Sequence, residues 1–344
     1  MKALVKEELG HGNLNVIETE EPEINNDQIK IEVKAAGVCG SDIHTYEGEY
    51  EVNTPLTLGH EFSGKIVEVG DNVTEFHIGD RVTSETTFYV CGECRYCKNG
   101  DYNLCPDRVG LGSQEDGGFA KYVVAKKESV HRLPENVDYI SGALTEPLAC
   151  AYHAVMEKAS LKEDDLVVVL GPGPIGLFTA QVAMSAGAEV VIAGLDQDQG
   201  RLKKADELGI SRTVNLQQED INEIVESLTD GYGADVVFEC SGAVPALNMG
   251  LDLLRKKGEY IQVGIFSDAK VLADFEKIVQ KELTVIGSRS QKPSCWEPSL
   301  ELMNSGKVKA KSLVTHEYGI DEWDKSYQAI KSSEAIKVVL KPLD

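Results

Sequence analysis

Cys91, Cys94, Cys97 and Cys105 follow the pattern C-x2-C-x2-C-x7-C. Four thiolates on so short a segment can close a tetrahedral site, the geometry zinc prefers. Gly92, Asn99 and Gly100 between them let the chain wrap tightly. Two other chemistries use clustered cysteines. Disulfides belong to oxidising compartments, whereas in a reducing one clustered cysteines more often mean metal. Iron–sulfur loops also carry a C-x2-C-x2-C run, and here Pro106 follows the last cysteine. Such loops, however, have three residues before the fourth cysteine instead of seven. The spacing favours structural zinc.

A second chemistry is written in Gly171-Pro172-Gly173-Pro174-Ile175-Gly176, which follows the apolar run Val167–Leu170 and precedes a helical stretch over 177–186. In this G-x-G-x-x-G pattern the first glycine makes the tight turn. The second lets the backbone approach a pyrophosphate, and the third lets helix and strand pack closely. The helix N-terminus then offers free N–H groups to the phosphates. Glycine turns are common, but a strand before and a helix after favour dinucleotide binding through Gly171, Gly173, Pro174, Ile175 and Gly176. NAD binding usually adds an acid at the end of the second strand, about 20 residues further on. Asp196 lies 20 residues after Gly176, yet the second strand ends at Gly194, where the acid would be most natural. Asp196 can curl back to a ribose, or it can simply cap the helix that carries Arg201 and Leu202. With glycine at 194 a 2′-phosphate could fit, with Arg201 as its partner. NAD is the expected cofactor, and NADP stays open.

A third group is dispersed: Cys39 in Gly37-Val38-Cys39-Gly40-Ser41-Asp42-Ile43-His44, His60 and Glu61 in Gly59-His60-Glu61-Phe62, and Glu146 before Pro147. These are metal-ligand types, but spacing alone does not make them converge. Each by itself is unremarkable: Cys39 could be a core thiol and Glu61 a surface carboxylate.

Two kinds of element must position these residues. Up to about residue 150 short alternating strands, such as 29–33 and 65–69, are broken by glycine turns, so a β-rich domain is expected. From 166 onward apolar runs alternate with helical stretches: 166–170, 189–193, 212–216, 235–239, 259–264 and 283–287. Six strand–helix units make a doubly wound parallel sheet. A last strand over 336–341 is expected to return to the first domain. The 344 residues suit two domains. The reading is therefore α/β, with a β-rich domain over 1–150 completed by 288–344, and a dinucleotide-binding domain over 151–287. A net charge of −23 repels phosphate backbones and argues against nucleic acid as a partner. The start of the chain has no apolar core of a secretory signal, and no stretch of about 18 apolar residues suggests a membrane span. The expected location is the cytoplasm.

With Gly59-His60-Glu61, the four-cysteine lobe, Gly79-Asp80-Arg81-Val82 and the glycine fingerprint, the whole chain resembles the zinc-containing medium-chain dehydrogenase/reductase family. Within it the chain looks like the polyol (sorbitol) dehydrogenases. The stretches 83–91, 240–245 and 287–291 are most like D-arabitol-phosphate dehydrogenases. The resemblance implies a GroES-like β domain made from both chain ends, an inserted Rossmann domain, and an active site in the cleft between them. It implies that Cys39 and His60 bind a catalytic zinc, that Glu146 supplies a third ligand, and that Glu61 approaches the metal directly or through water. It implies two zinc ions per subunit, NAD or NADP as cofactor, and a homo-dimer or homo-tetramer.

The chemistry so implied is oxidation of a secondary alcohol of a polyol or polyol phosphate to a ketose. Ser41 would take the substrate proton, and His44 would pass it to solvent, directly or through the cofactor ribose. Ser288 and Arg289 follow the sixth strand near the family's substrate cleft, and Arg289 could grip a substrate phosphate or make a surface salt bridge. Other readings are an L-threonine 3-dehydrogenase-like activity, a zinc-stabilised nucleic-acid-binding protein, which the charge disfavours, and a cofactor-binding relative without catalysis.

Overall fold

The computed structural model describes residues 1–268 and 270–343. The chain divides into two compact units, Met1–Glu146 with Lys292–Asn304 and Ala310–Asp344, and Pro147–Gln291 with Ser305–Lys309.

The first unit is mostly antiparallel sheet. Its centre is the strand Gln28–Gly37, in which alternate side chains are buried over most of its length, as a strand with one face on a core requires. It pairs with Glu61–Val69 on one side and with Lys337–Lys341 on the other, in the registers Gly37↔Glu61 and Gly37↔Val339. The strand near the end of the chain thus lies beside one near its beginning. Leu4, Ile29, Ile31, Phe62, Ile66, Val82, Phe119 and Trp323 form the core beneath. A short helix, Gly40–Glu47, leaves the end of the central strand, so Cys39 sits at its N-cap.

The second unit is a six-stranded, wholly parallel sheet. Across it run Arg212–Asn215, Glu189–Gly194, Leu166–Leu170, Ala234–Glu239, Leu254–Gln262 and Thr284–Gly287. In chain order this is 3-2-1-4-5-6, the doubly wound arrangement, whose ligands bind outside the carboxyl ends of the strands where the order reverses. Leu166–Leu170, at that reversal, is buried along its whole length, because helices cover both faces.

Several elements differ in extent from the expectation: the strands expected over 29–33 and 65–69 run over Gln28–Gly37 and Glu61–Val69. The fifth strand begins at Leu254 instead of 259. Its first residues, Leu254-Arg255-Lys256-Lys257-Gly258, carry no apolar alternation to reveal it. The helix after the glycine loop begins at Pro174 instead of 177, with proline in the first turn, where its missing N–H costs nothing.

Candidate active site

Cys39, His60 and Glu61 are brought together by neighbouring pieces of the first sheet. Cys39 follows the central strand, and His60 and Glu61 sit at the start of the strand paired to it. One ligand atom from each lies within 4.8 Å of the others. Glu146, buried in the first turn of Thr145–Tyr152, is outside that spacing. It is near enough to act on His60 and Lys337 through its charge.

Two side chains around the trio were not singled out from the sequence. Asp42 is buried, accepts the Cys39 N–H at 2.9 Å, and stands 3.8 Å from His60 Nδ1. A carboxylate behind the second ring nitrogen is the usual way to orient a metal-binding imidazole. Lys337, on the strand Lys337–Lys341, is buried too. Its Nζ lies 2.7 and 2.6 Å from the two Glu61 oxygens and donates to the Val38 carbonyl at 2.8 Å. A Cβ at Gly37 would run into the Glu61 carboxylate, so glycine there is what lets that carboxylate lie against the central strand. Lys337 stands among apolar residues of a strand, where a lysine normally turns outward. Asp42 lies in the same short stretch as Cys39, Ser41 and His44.

The electrostatics suit a cation. Burial favours a neutral His60 ring, but Asp42, Cys39 and Glu146 together push its proton affinity well above the ordinary value. Burial raises the Asp42 carboxyl, and the neighbouring Glu61 raises it further. For Lys337, burial is outweighed by Glu61, Cys39 and Glu146, which raise it. Carboxylates thus gather around the His60 ring and the Lys337 ammonium, and their negative charge favours a cation there. A thiol, an imidazole and carboxylates are the donors of a catalytic zinc site, and the residues present fit that ion.

Ser41 and His44 are three residues apart on Gly40–Glu47 and so share a face of it. Ser41 is half-buried. His44 is 59% exposed, with Nδ1 2.7 Å from Glu49.

The four-cysteine lobe is closed. Its sulfurs all lie within 4.8 Å of one another, with Cys91–Cys97 at 3.9 Å and Cys105–Cys91 at 3.6 Å. These are not disulfide separations. A tetrahedral Zn–S4 centre with bonds of about 2.3 Å sets its sulfurs about 3.8 Å apart, so the cluster fits zinc without rearrangement. The N–H groups of Cys94 and Cys97 each point at a sulfur, at 3.4 Å. The one from Cys97 brings the Cys94 thiol down to about 7, while burial pushes Cys97 up to about 12.

In the second unit the glycine loop is shaped for a phosphate ligand. Gly171 has φ +101°, and a Cβ there would meet Ser241 at 2.8 Å. A Cβ at Gly176 would collide with the Gly171 carbonyl. At Gly173, the N-cap of Pro174–Ser185, nothing stands within 4 Å of where a Cβ would be. That open side faces free N–H groups at a helix start, the feature that accepts a pyrophosphate. Pro174 and Ile175 form the first helical turn. Asp196 is exposed, and its Oδ1 accepts from Asn215 and Gln218, both at 2.8 Å. The N-cap of the following helix, Gln199–Leu208, is Asp198. Arg201 pairs with Asp198 at 2.9 Å. Ser288 donates its N–H to the Gln262 carbonyl at 2.9 Å, and Arg289 is exposed.

Residues 25–135 match the alcohol dehydrogenase GroES-like domain, and residues 174–305 match the zinc-binding dehydrogenase family. The chain is 63% identical over all of its length, and all of the relative's, to a sorbitol dehydrogenase of Halalkalibacterium halodurans. It is 46% identical to a D-arabitol-phosphate dehydrogenase of Enterococcus avium, covering 99% of this chain and 97% of that one. Among solved structures, a zinc-binding dehydrogenase of Sinorhizobium meliloti 1021 bound to NADP superposes with a TM-score of 0.92 at 31% identity, covering 99% of each chain. Half a dozen unrelated constraints thus agree, from the thiolate lobe to the topology of the parallel sheet, and the chain belongs to the zinc-containing medium-chain dehydrogenase/reductase family, in its polyol dehydrogenase branch.

Proposed function

We propose that this protein oxidises a secondary alcohol of a polyol or polyol phosphate to a ketose, using NAD or NADP. The observation that carries the reading is the convergence of the half-buried Cys39 and His60 with the buried Glu61, close enough to Glu146 for its charge to act on His60. Cys39, His60 and Glu146 would hold the catalytic zinc, and Cys91, Cys94, Cys97 and Cys105 would hold the structural one. When bound, zinc supplies a Lewis acid that makes the substrate hydroxyl acidic, and the nicotinamide supplies the hydride acceptor. The chain does the rest. Asp42 keeps the His60 ring turned for ligation. Lys337 neutralises Glu61 and holds it back, leaving it as a reserve carboxylate for exchange with Glu146. Ser41 accepts the substrate proton at its hydroxyl, and His44, exposed on the same helical face, delivers it to water. The main chain of Gly171–Gly176 cradles the pyrophosphate.

A screen of sugar alcohols, their phosphates and L-threonine, each with NAD and with NADP and with metal content measured alongside, tests the reading. Turnover of a polyol or polyol phosphate by protein holding two zinc ions per chain is expected. Turnover of threonine alone would overturn the substrate class.

A further inference from the structure

The second strand of the nucleotide sheet ends on Gly194, where dinucleotide-binding folds of this kind usually carry the acid for the adenosine ribose. The surroundings of Gly194 leave no room for such a side chain. A Cβ there would stand 2.7 Å from Cγ of Pro172, in the phosphate loop, and 3.0 Å from Cβ of Asp198. The space beside the loop that an acid at 194 would enter is already occupied by a residue four positions on.

We propose that Asp198 replaces the missing acid: its carboxylate takes the ribose hydroxyls of NAD and makes the site reject the 2′-phosphate of NADP. Asp198 is buried, 7% exposed, although it lies in a surface turn. Its Oδ2 accepts the Leu195 N–H at 3.1 Å, and its Oδ1 accepts from Arg201 at 2.9 Å. A carboxylate oxygen accepts more than one hydrogen bond, so each keeps capacity for a hydroxyl. The two bonds already made hold the group rigidly at the end of the strand. Asp196, the acid at the expected distance in sequence, is engaged instead by Asn215, at the end of the third strand, and by Gln218 beyond it. The Arg201 charge, which could have welcomed a phosphate, is spent on Asp198. A 2′-phosphate brought here would face a buried carboxylate, and drawing Arg201 away would leave that carboxylate without its counter-charge.

The proposal rests on the dinucleotide reading of the glycine loop, and the two can fail separately. The measurement is direct binding of NADH and NADPH to the zinc-loaded protein, by fluorescence titration and by ligand-induced shift of Tm. The unaltered protein binds NADH at least tenfold tighter than NADPH. Asp198→Asn keeps the shape and the acceptor for Leu195 N–H, and so guards against loss of the fold. It weakens NADH about 10–100-fold, the loss expected for hydrogen bonds to a charged group, and brings the two affinities together. Asp196→Asn leaves both affinities unchanged. NADPH preference in the unaltered protein, or a ratio that Asp198→Asn does not move, overturns the proposal while the loop reading stands. Binding of neither dinucleotide overturns both.

Discussion

At the scale of single residues, the ion pair of Glu61 and Lys337 carries the most leverage. Both are buried, at 1% and 4% exposure, so neither charge has water to fall back on. Removing one partner of a buried pair leaves the other uncompensated, at a cost of about 3–5 kcal/mol. Lys337→Met is therefore expected to lower stability by about that much, read as a shift of the urea midpoint at constant slope. Glu61→Gln added to Lys337→Met should recover part of the loss. The sequence shows Glu61 beside His60 but gives no hint of its counter-ion 276 positions on. A contact between strands at opposite ends of the chain has no local signature.

At the scale of elements, the segment Lys292–Asn304 is fastened to the β-rich unit through His131. That ring stacks on Trp296 with centroids 5.3 Å apart, and its two nitrogens meet Glu297 at 2.8 Å and the buried Glu85 at 3.1 Å. Burial works against the charged ring, but the two glutamates more than compensate and raise its proton affinity above the ordinary 6.5. Burial likewise raises the Glu85 carboxyl. Both groups bind protons more tightly in the folded protein. Their contribution is complete below the unfolded values and fades as pH rises through the folded ones. Stability should decline as pH climbs from about 6.5 through the raised His131 value, and His131→Gln should flatten that slope in thermal melts at successive pH values. From sequence, His131 reads only as structural or surface. Its role needs Glu85 and Glu297, which come from separate elements.

At the scale of the whole molecule, two kinds of zinc site predict two kinds of failure. The cysteine lobe ties its own loop together, and its metal is part of the folding energy. Cys97→Ser should lower Tm by several degrees and promote aggregation. Cys39→Ser should abolish turnover with Tm changed little, because the surrounding sheet does not depend on that side chain. Calorimetry and activity on the same samples separate the two cases. No helix among the described residues is long and apolar enough to cross a membrane. The net charge of −23 is electrostatically unfavourable for binding phosphate polymers.

What the sequence determined alone is what depends on short spacing. The thiolate lobe closes within one loop. The glycine loop needs only its own turn and the strand and helix on either side, and the parallel sheet announces itself through recurring apolar runs. What the tertiary structure decided is everything assembled from distant positions. It brings Cys39 and His60 together with Glu61, and sets Lys337 against that carboxylate. Asp42 is placed behind His60, and Asp198, instead of Asp196, stands at the end of the second strand. The physical reason is that hydrogen bonding and packing between strands join residues without regard to their separation along the chain. A local pattern can therefore name a ligand type, but only the fold can say which residues share its space.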